Sequence, residues 1–409
     1  MKEFYTKHKI QFLILIGLLI LIFGIEYLAL DKPSTLDAEA AIQICEEMGE
    51  GEMQTDCWYT VIRSGFREGG SLLAFDIFKK IYETSDLFVS TGCHRHAHRV
   101  GDISYYEDYL THKDITKMKF PHVTSVCGYG YFHGFIEHLI QDNPYPQFVR
   151  ETCDYLDTSL TEIMPSIRIT CFHGSGHGFA LSGIDTTSQD SWGDPEKLIG
   201  NSLSQCEALQ ASRFEVEECK EGVFNVLVEW MSDEQYGLTY NHEDPFWFCR
   251  EQEPENKKAC YYEMAQKQGI DMDVVAAAKL ADSIGDEDLA RVVFIVTVSG
   301  MMQLGVATEI QYDFILACRE VPDYLKENCI KSITGGMMEH GNPGEEHIKL
   351  LEFCQSDILL SDERSICFDS LLEKMARFNA DEFIYDFCEA EDNEFRKYCR
   401  SNLNYPFVE

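Results

Sequence analysis

The chain has 409 residues and carries 70 Asp and Glu against 34 Lys and Arg, a formal net charge of −36. A surface this acidic repels phosphate backbones and argues against nucleic acid as a partner. Sixteen cysteines, an even number, argue against a reducing compartment for the part of the chain that carries them.

The first predicted element is a membrane anchor at residues 10–30. Ile10 to Ile25 is an uncharged apolar run, which Tyr27, Leu28, Ala29 and Leu30 extend past Glu26 to the length of a bilayer crossing. Lys2, Lys7 and Lys9 precede it, while Glu26, Asp31, Asp37 and Glu39 stand at or beyond its end. The positive-inside rule therefore puts residues 1–9 in the cytoplasm and everything after Leu30 outside. No pair of small residues at cleavage spacing lies near Leu30, so the segment reads as a retained helix and not as a removed signal. The expectation is a single-pass protein of the cell membrane with an extracytoplasmic bulk.

All the cysteines lie in that exterior part. Taken in chain order they give eight candidate disulfides: Cys45 with Cys57, Cys93 with Cys127, Cys153 with Cys171, Cys206 with Cys219, Cys249 with Cys260, Cys318 with Cys329, Cys354 with Cys367 and Cys388 with Cys399. Six of these pairs enclose only ten to twelve residues. Short loops closed at regular intervals suit a stack of locally stapled units, each staple contributing about 3 kcal/mol by restricting the unfolded chain. Strand signals are scarce, and an amphipathic segment runs into the first cysteine of a short pair while the second cysteine opens another. This predicts an all-α, solenoid-like array of disulfide-stapled α-hairpins. Residues 31–85 form the first hairpin unit.

Residues 86–185 are chemically different from the rest, because nine of the thirteen histidines fall between His94 and His177. His94 and His98 are four apart, as are His173 and His177, and His133 stands in the same relation to Glu137. Four-residue spacing places side chains one turn apart on one helix face. Cys127, Gly130, His133, Gly134 and Phe135 share the spacing of Cys171, Gly174, His177, Gly178 and Phe179, a repeated C-x2-G-x2-H-G-F motif. A third helix keeps Cys219 and Gly222 but carries Asn225 at the histidine position. Each glycine disfavours an isolated helix by about 1 kcal/mol relative to Ala, so close approach of neighbouring helices is expected to compensate. The prediction is a transition-metal site of His94, His98, His133, His173 and His177, with Glu137 as carboxylate ligand or catalytic base and donors enough for two ions. Zinc, copper, iron or nickel suits such a set. Zinc would support hydrolysis, with Glu137 or Asp102 taking a proton; paired copper or iron would support redox chemistry with Tyr129 and Tyr131 nearby. His96 and His138 fall off these faces. No H-E-x-x-H, C-x-x-C-H, P-loop, dinucleotide fingerprint or nucleophile elbow occurs.

A Ser/Thr/Asp/Gly-rich loop at Thr186 to Asp194 leads into residues 200–409, the hairpin repeat region. Cys318 to Cys354 spans 36 residues and Cys354 to Cys388 spans 34, the period of stacked helix pairs. In general plan this region resembles α-hairpin solenoids of the tetratricopeptide kind, without their Trp, Leu-Gly and Pro pattern. The apolar run Val292 to Ala307 is too short and too interrupted for a second span and reads as a buried helix. The competing functional expectation is a non-catalytic solenoid scaffold with structural histidines, offering a concave face to another exported protein.

Overall fold

The computed structural model describes residues 38–403 apart from short breaks at 50, 86–87, 90–91, 185–187, 269–272, 306–309 and 391–393. The expected anchor at 10–30 lies outside the described residues. Among these, the protein is helical throughout, with no strand. In chain order the α-helices of five residues or more are α1 (Ala38–Glu46), α2 (Glu52–Thr84), α3 (Cys93–Ser104), α4 (Gly130–Asp142), α5 (Pro146–Leu160), α6 (Ile167–Ser182), α7 (Pro195–Glu207), α8 (Arg213–Ser232), α9 (Trp247–Glu251) and α10 (Pro254–Gln266). They continue as α11 (Val274–Asp282), α12 (Glu287–Gly305), α13 (Gln311–Cys318), α14 (Asp323–His340), α15 (Glu346–Cys354), α16 (Ser361–Phe378), α17 (Asp381–Ala390) and α18 (Glu394–Asn402).

Local sequence sets many of the starts. Pro occupies the first turn of α5, α7 and α10, where its missing N–H costs nothing. Asp194 accepts from Lys197 N, and Ser212 with Glu215 forms a reciprocal capping box.

Disulfides join Cys45 to Cys57, Cys93 to Cys127, Cys153 to Cys171 and Cys206 to Cys219 in the first half of the chain. In the second half they join Cys249 to Cys260, Cys318 to Cys329, Cys354 to Cys367 and Cys388 to Cys399. The paired Cα atoms are 5.3 to 6.1 Å apart, and no cysteine is left free. The position of the second cysteine corrects the sequence reading, in which it opens a helix. Cys57 lies five residues inside α2 and Cys399 five inside α18, while Cys219, Cys260, Cys329 and Cys367 each lie six residues inside α8, α10, α14 and α16. The helices start inside the loop, α8 at its Ser212 cap and α10 at Pro254, so the cystine ties the end of one helix to the body of the next instead of to its first residue.

The long helices do not form an open superhelix. Helices α3, α4, α6, α8, α10, α12 and α14 each pack on the next, and α14 returns to α3, closing a ring. Helices α5, α7, α9, α11 and α13 pair with successive ring members, α6, α8, α10, α12 and α14. Polar contacts fasten the seam. The Tyr82 hydroxyl donates to the His340 carbonyl at 3.1 Å, Lys79 Nζ to Glu345 Oε1 at 2.7 Å, and the Tyr129 hydroxyl to the Arg377 carbonyl at 3.1 Å. Closure was not expected from the sequence, because it depends on the rotation accumulated over seven units. The run Val292 to Ala307 falls largely in α12, where Phe294 and Val298 are fully buried. No helix among the described residues is long and apolar enough to cross a membrane.

Glycine governs how closely the ring helices approach. A Cβ at Gly130 would lie 2.4 Å from the His94 carbonyl oxygen, and one at Gly134 would lie 2.1 Å from that of His98. The same holds at the next junctions, where a Cβ at Gly178 would come within 2.7 Å of the Glu137 oxygen and one at Gly222 within 2.0 Å of the His173 oxygen. The helix-propensity cost of these residues is thus offset by backbone contact, and the contact draws the histidine-bearing faces together.

Candidate metal centre

Three adjacent ring helices supply the polar groups. His98 and Asp102 stand one turn apart on α3, His133 and Glu137 on α4, and His173 and His177 on α6. One ligand atom from each of His98, Glu137 and His177 lies within 4.8 Å of the other two. Glu137 Oε2 is the hub, 3.3 Å from His98 Nε2 and 3.1 Å from His177 Nδ1. His177 is 5 % exposed, and its Nε2 has no hydrogen-bond partner.

The remaining predicted histidines form a chain beside this triad. His94 Nδ1 is 3.0 Å from the Cys127 carbonyl and so carries the hydrogen it donates there. Its Nε2 is then bare and accepts from His133 Nδ1 at 3.0 Å, which leaves His133 Nε2 as a lone pair. The His133 and His173 rings stack with centroids 4.7 Å apart, and those of His173 and His177 are 5.1 Å apart. His94 therefore orients His133 and is not itself a free donor.

The electrostatics divide the same groups. Burial, reinforced by the neighbouring imidazoles, holds His133 and His173 well below the usual histidine range, so both are neutral at pH 7. Burial likewise lowers His94 to about 3, with His98 and His340 adding to it. Burial opposes the charged form of His98 too, yet the Asp102 and Glu137 carboxylates overcome it and push the imidazole up to about 10. Glu137 is driven down to about 2, because His177 and His98 outweigh the desolvation of its carboxylate. Asp102 Oδ1 sits 3.5 Å from His98 Nδ1 and 3.3 Å from His138 Nε2, an ion-pair contact on the far side of His98 from Glu137.

Other sequence candidates are elsewhere. His96 is a core residue, stacked on Phe88 at 3.4 Å and bonded through Nε2 to the Phe88 carbonyl and through Nδ1 to the Tyr59 hydroxyl. Tyr131 is fully buried and bonded to Ser104 Oγ, and Tyr129 belongs to the seam, so neither is placed to react at the triad. Glu346 approaches Cys93 and Cys127, but their sulfurs are joined to one another and offer no thiolate.

The sequence reading missed Glu221 on α8 and Glu263 on α10, which meet His173 with ligand atoms within 4.8 Å of one another. A signal for Glu221 existed: it stands two residues after Cys219, as His173 stands two after Cys171. Asn225, at the histidine position of the third motif, donates from Nδ2 to Glu263 Oε2 at 2.6 Å. No family model matches the chain, and comparisons with curated proteins and with solved structures find no match either.

Proposed function

We propose that the protein binds a divalent transition metal, zinc or iron, through His98, Glu137 and His177, and that this ion is the centre of its activity. The observation that carries the reading is the convergence of two imidazoles and one carboxylate, from three helices, within 4.8 Å, with His177 Nε2 buried and unpartnered. Two histidines and a carboxylate are the donor set of catalytic zinc and of non-haem iron, and three protein ligands leave positions for water or substrate. Asp102 against Nδ1 of His98 supplies the carboxylate-to-histidine support that metal sites use to fix a ring and leave Nε2 for the ion. His133, oriented by His94, presents a neutral imidazole beside His173 and His177.

The same reading places the ring outside the cell on an anchor at residues 10–30. Its support is the lysine asymmetry around that segment and the engagement of every cysteine in a disulfide. Closure of the array takes away the open concave groove on which a solenoid scaffold receives partners, which favours the metal reading over the scaffold.

The test is metal analysis of the full chain, extracted in detergent and purified without a histidine tag. At least one equivalent of zinc or iron is expected, and a His98→Ala, His177→Ala double variant that still folds should lose it. A wild-type chain that arrives without either metal and takes up neither on incubation overturns the proposal.

A further inference from the structure

A second set of donors lies next to the triad, one turn along α6. Glu221 is 7 % exposed and Glu263 1 %, and their carboxylates converge with the His173 imidazole to within 4.8 Å. Neither carboxylate has an ion-pair partner among the described residues; the nearby Lys258 is engaged by Glu217. Acidic residues in proximity are no site in themselves. Here, however, one carboxylate oxygen independently signals an absent partner. Glu263 Oε2 is taken by Asn225, whereas Oε1 is buried with no hydrogen-bond partner at all. Two carboxylates removed from water with no cation beside them are costly, and either protonation or a bound cation relieves the cost.

We propose that His173, Glu221 and Glu263 form a second divalent-cation site beside the first. With one nitrogen and up to four carboxylate oxygens, it favours a harder ion than the triad does, Mn2+ or Fe2+. The two sites share α6 through His173 and His177, whose rings are 5.1 Å apart, so the two dissimilar donor sets adjoin each other. Asn225 steers the Glu263 carboxylate and stands where the preceding repeats place His133 and His177. Repeat position thus assigns nitrogen ligation to one side of the centre and oxygen ligation to the other.

The site is independent of the triad, and the experiment separates them. The metal-stripped full chain is titrated with Mn2+, with free ion read by electron paramagnetic resonance and the fold checked by near-ultraviolet circular dichroism. Two equivalents are expected for the wild type. Glu221→Gln with Glu263→Gln should lose one and keep the other, while His98→Ala with Glu137→Gln should lose only the complementary one. If wild type binds a single equivalent that the Glu221 and Glu263 variant loses and the His98 and Glu137 variant keeps, the second site stands and the triad reading fails. Mn2+ uptake unchanged by the Glu221 and Glu263 substitutions, or no uptake by the wild type, overturns the second site. Should the double variant not fold, Glu221→Gln alone decides: it leaves the Asn225 bond intact, and a Kd for one equivalent weakened less than tenfold counts against the proposal.

Discussion

Gly176 and Gly222 meet across the junction of α6 and α8 with no room for a side chain on either. A Cβ on Gly176 would stand 2.0 Å from the Cys219 oxygen and 2.9 Å from the Gly222 Cα. One on Gly222 would stand 2.0 Å from the His173 oxygen. This reciprocal contact sets the distance between the helix that carries His173 and His177 and the helix that carries Glu221.

Gly176→Ala should therefore destabilise the protein by about 2 kcal/mol or more, since the strain of overpacking exceeds the gain of about 1 kcal/mol in helix propensity. Gly200 in α7 is the control. A Cβ there meets nothing within 4 Å, so Gly200→Ala should stabilise by about 0.5 to 1 kcal/mol. Urea unfolding of both variants checks the pair, and equal effects would show that the close approach carries no energy.

Asp102 touches the proposed ion only through His98. Asp102→Asn should weaken metal binding about 10- to 100-fold without changing the number of ions bound, because it removes the carboxylate behind Nδ1. Competition against a chelator measures this, and loss of a whole equivalent would instead make Asp102 a ligand.

Away from the centre, Arg319 makes a two-point contact with Glu363, Nε to Oε1 and Nη2 to Oε2, each at 2.8 Å, while Leu360 N donates to Glu363 Oε2. The Arg319 guanidinium holds the Glu363 carboxyl below its usual range. A carboxyl whose folded pKa is depressed contributes its full stabilisation above the unfolded pKa and loses it as pH falls through the folded one. Glu363→Gln should accordingly cost about 1 to 3 kcal/mol at pH 7, and the deficit should shrink in acid, below the ordinary carboxylate range. Denaturant titrations at pH 7 and pH 3 give the comparison; a deficit that is the same at both would remove charge from the explanation.

Much of this architecture could be read from residue spacing. Disulfide partners follow one another in the chain because each staples a local hairpin, and a cystine between sequence neighbours needs no knowledge of the distant fold. Where the helix begins relative to Cys329 or Cys367 was less legible, because the start is set by residues within the loop and not by the cystine. The histidine faces could be read because four-residue spacing on a helix fixes direction before any packing is known. Glu263 was not legible: it stands three residues after Cys260, one out of step with Glu221 after Cys219, so no repeat register points to it. His94 stands at ligand spacing from His98, and what spacing could not show is that its two ring nitrogens meet the Cys127 carbonyl and His133. Ring closure left no local mark, being a sum of small rotations between units.

That seam has a kinetic meaning. Hairpins joined by adjacent cysteines can assemble one after another from neighbouring contacts, whereas Lys79 must find Glu345 across 266 residues and Tyr129 must find Arg377 across 248. Loop-closure entropy makes such encounters late and slow compared with local pairing. The donors of both proposed centres lie between His98 and Glu263, on ring helices that follow one another in the chain, so their convergence rests on sequential packing and not on the contacts of the seam.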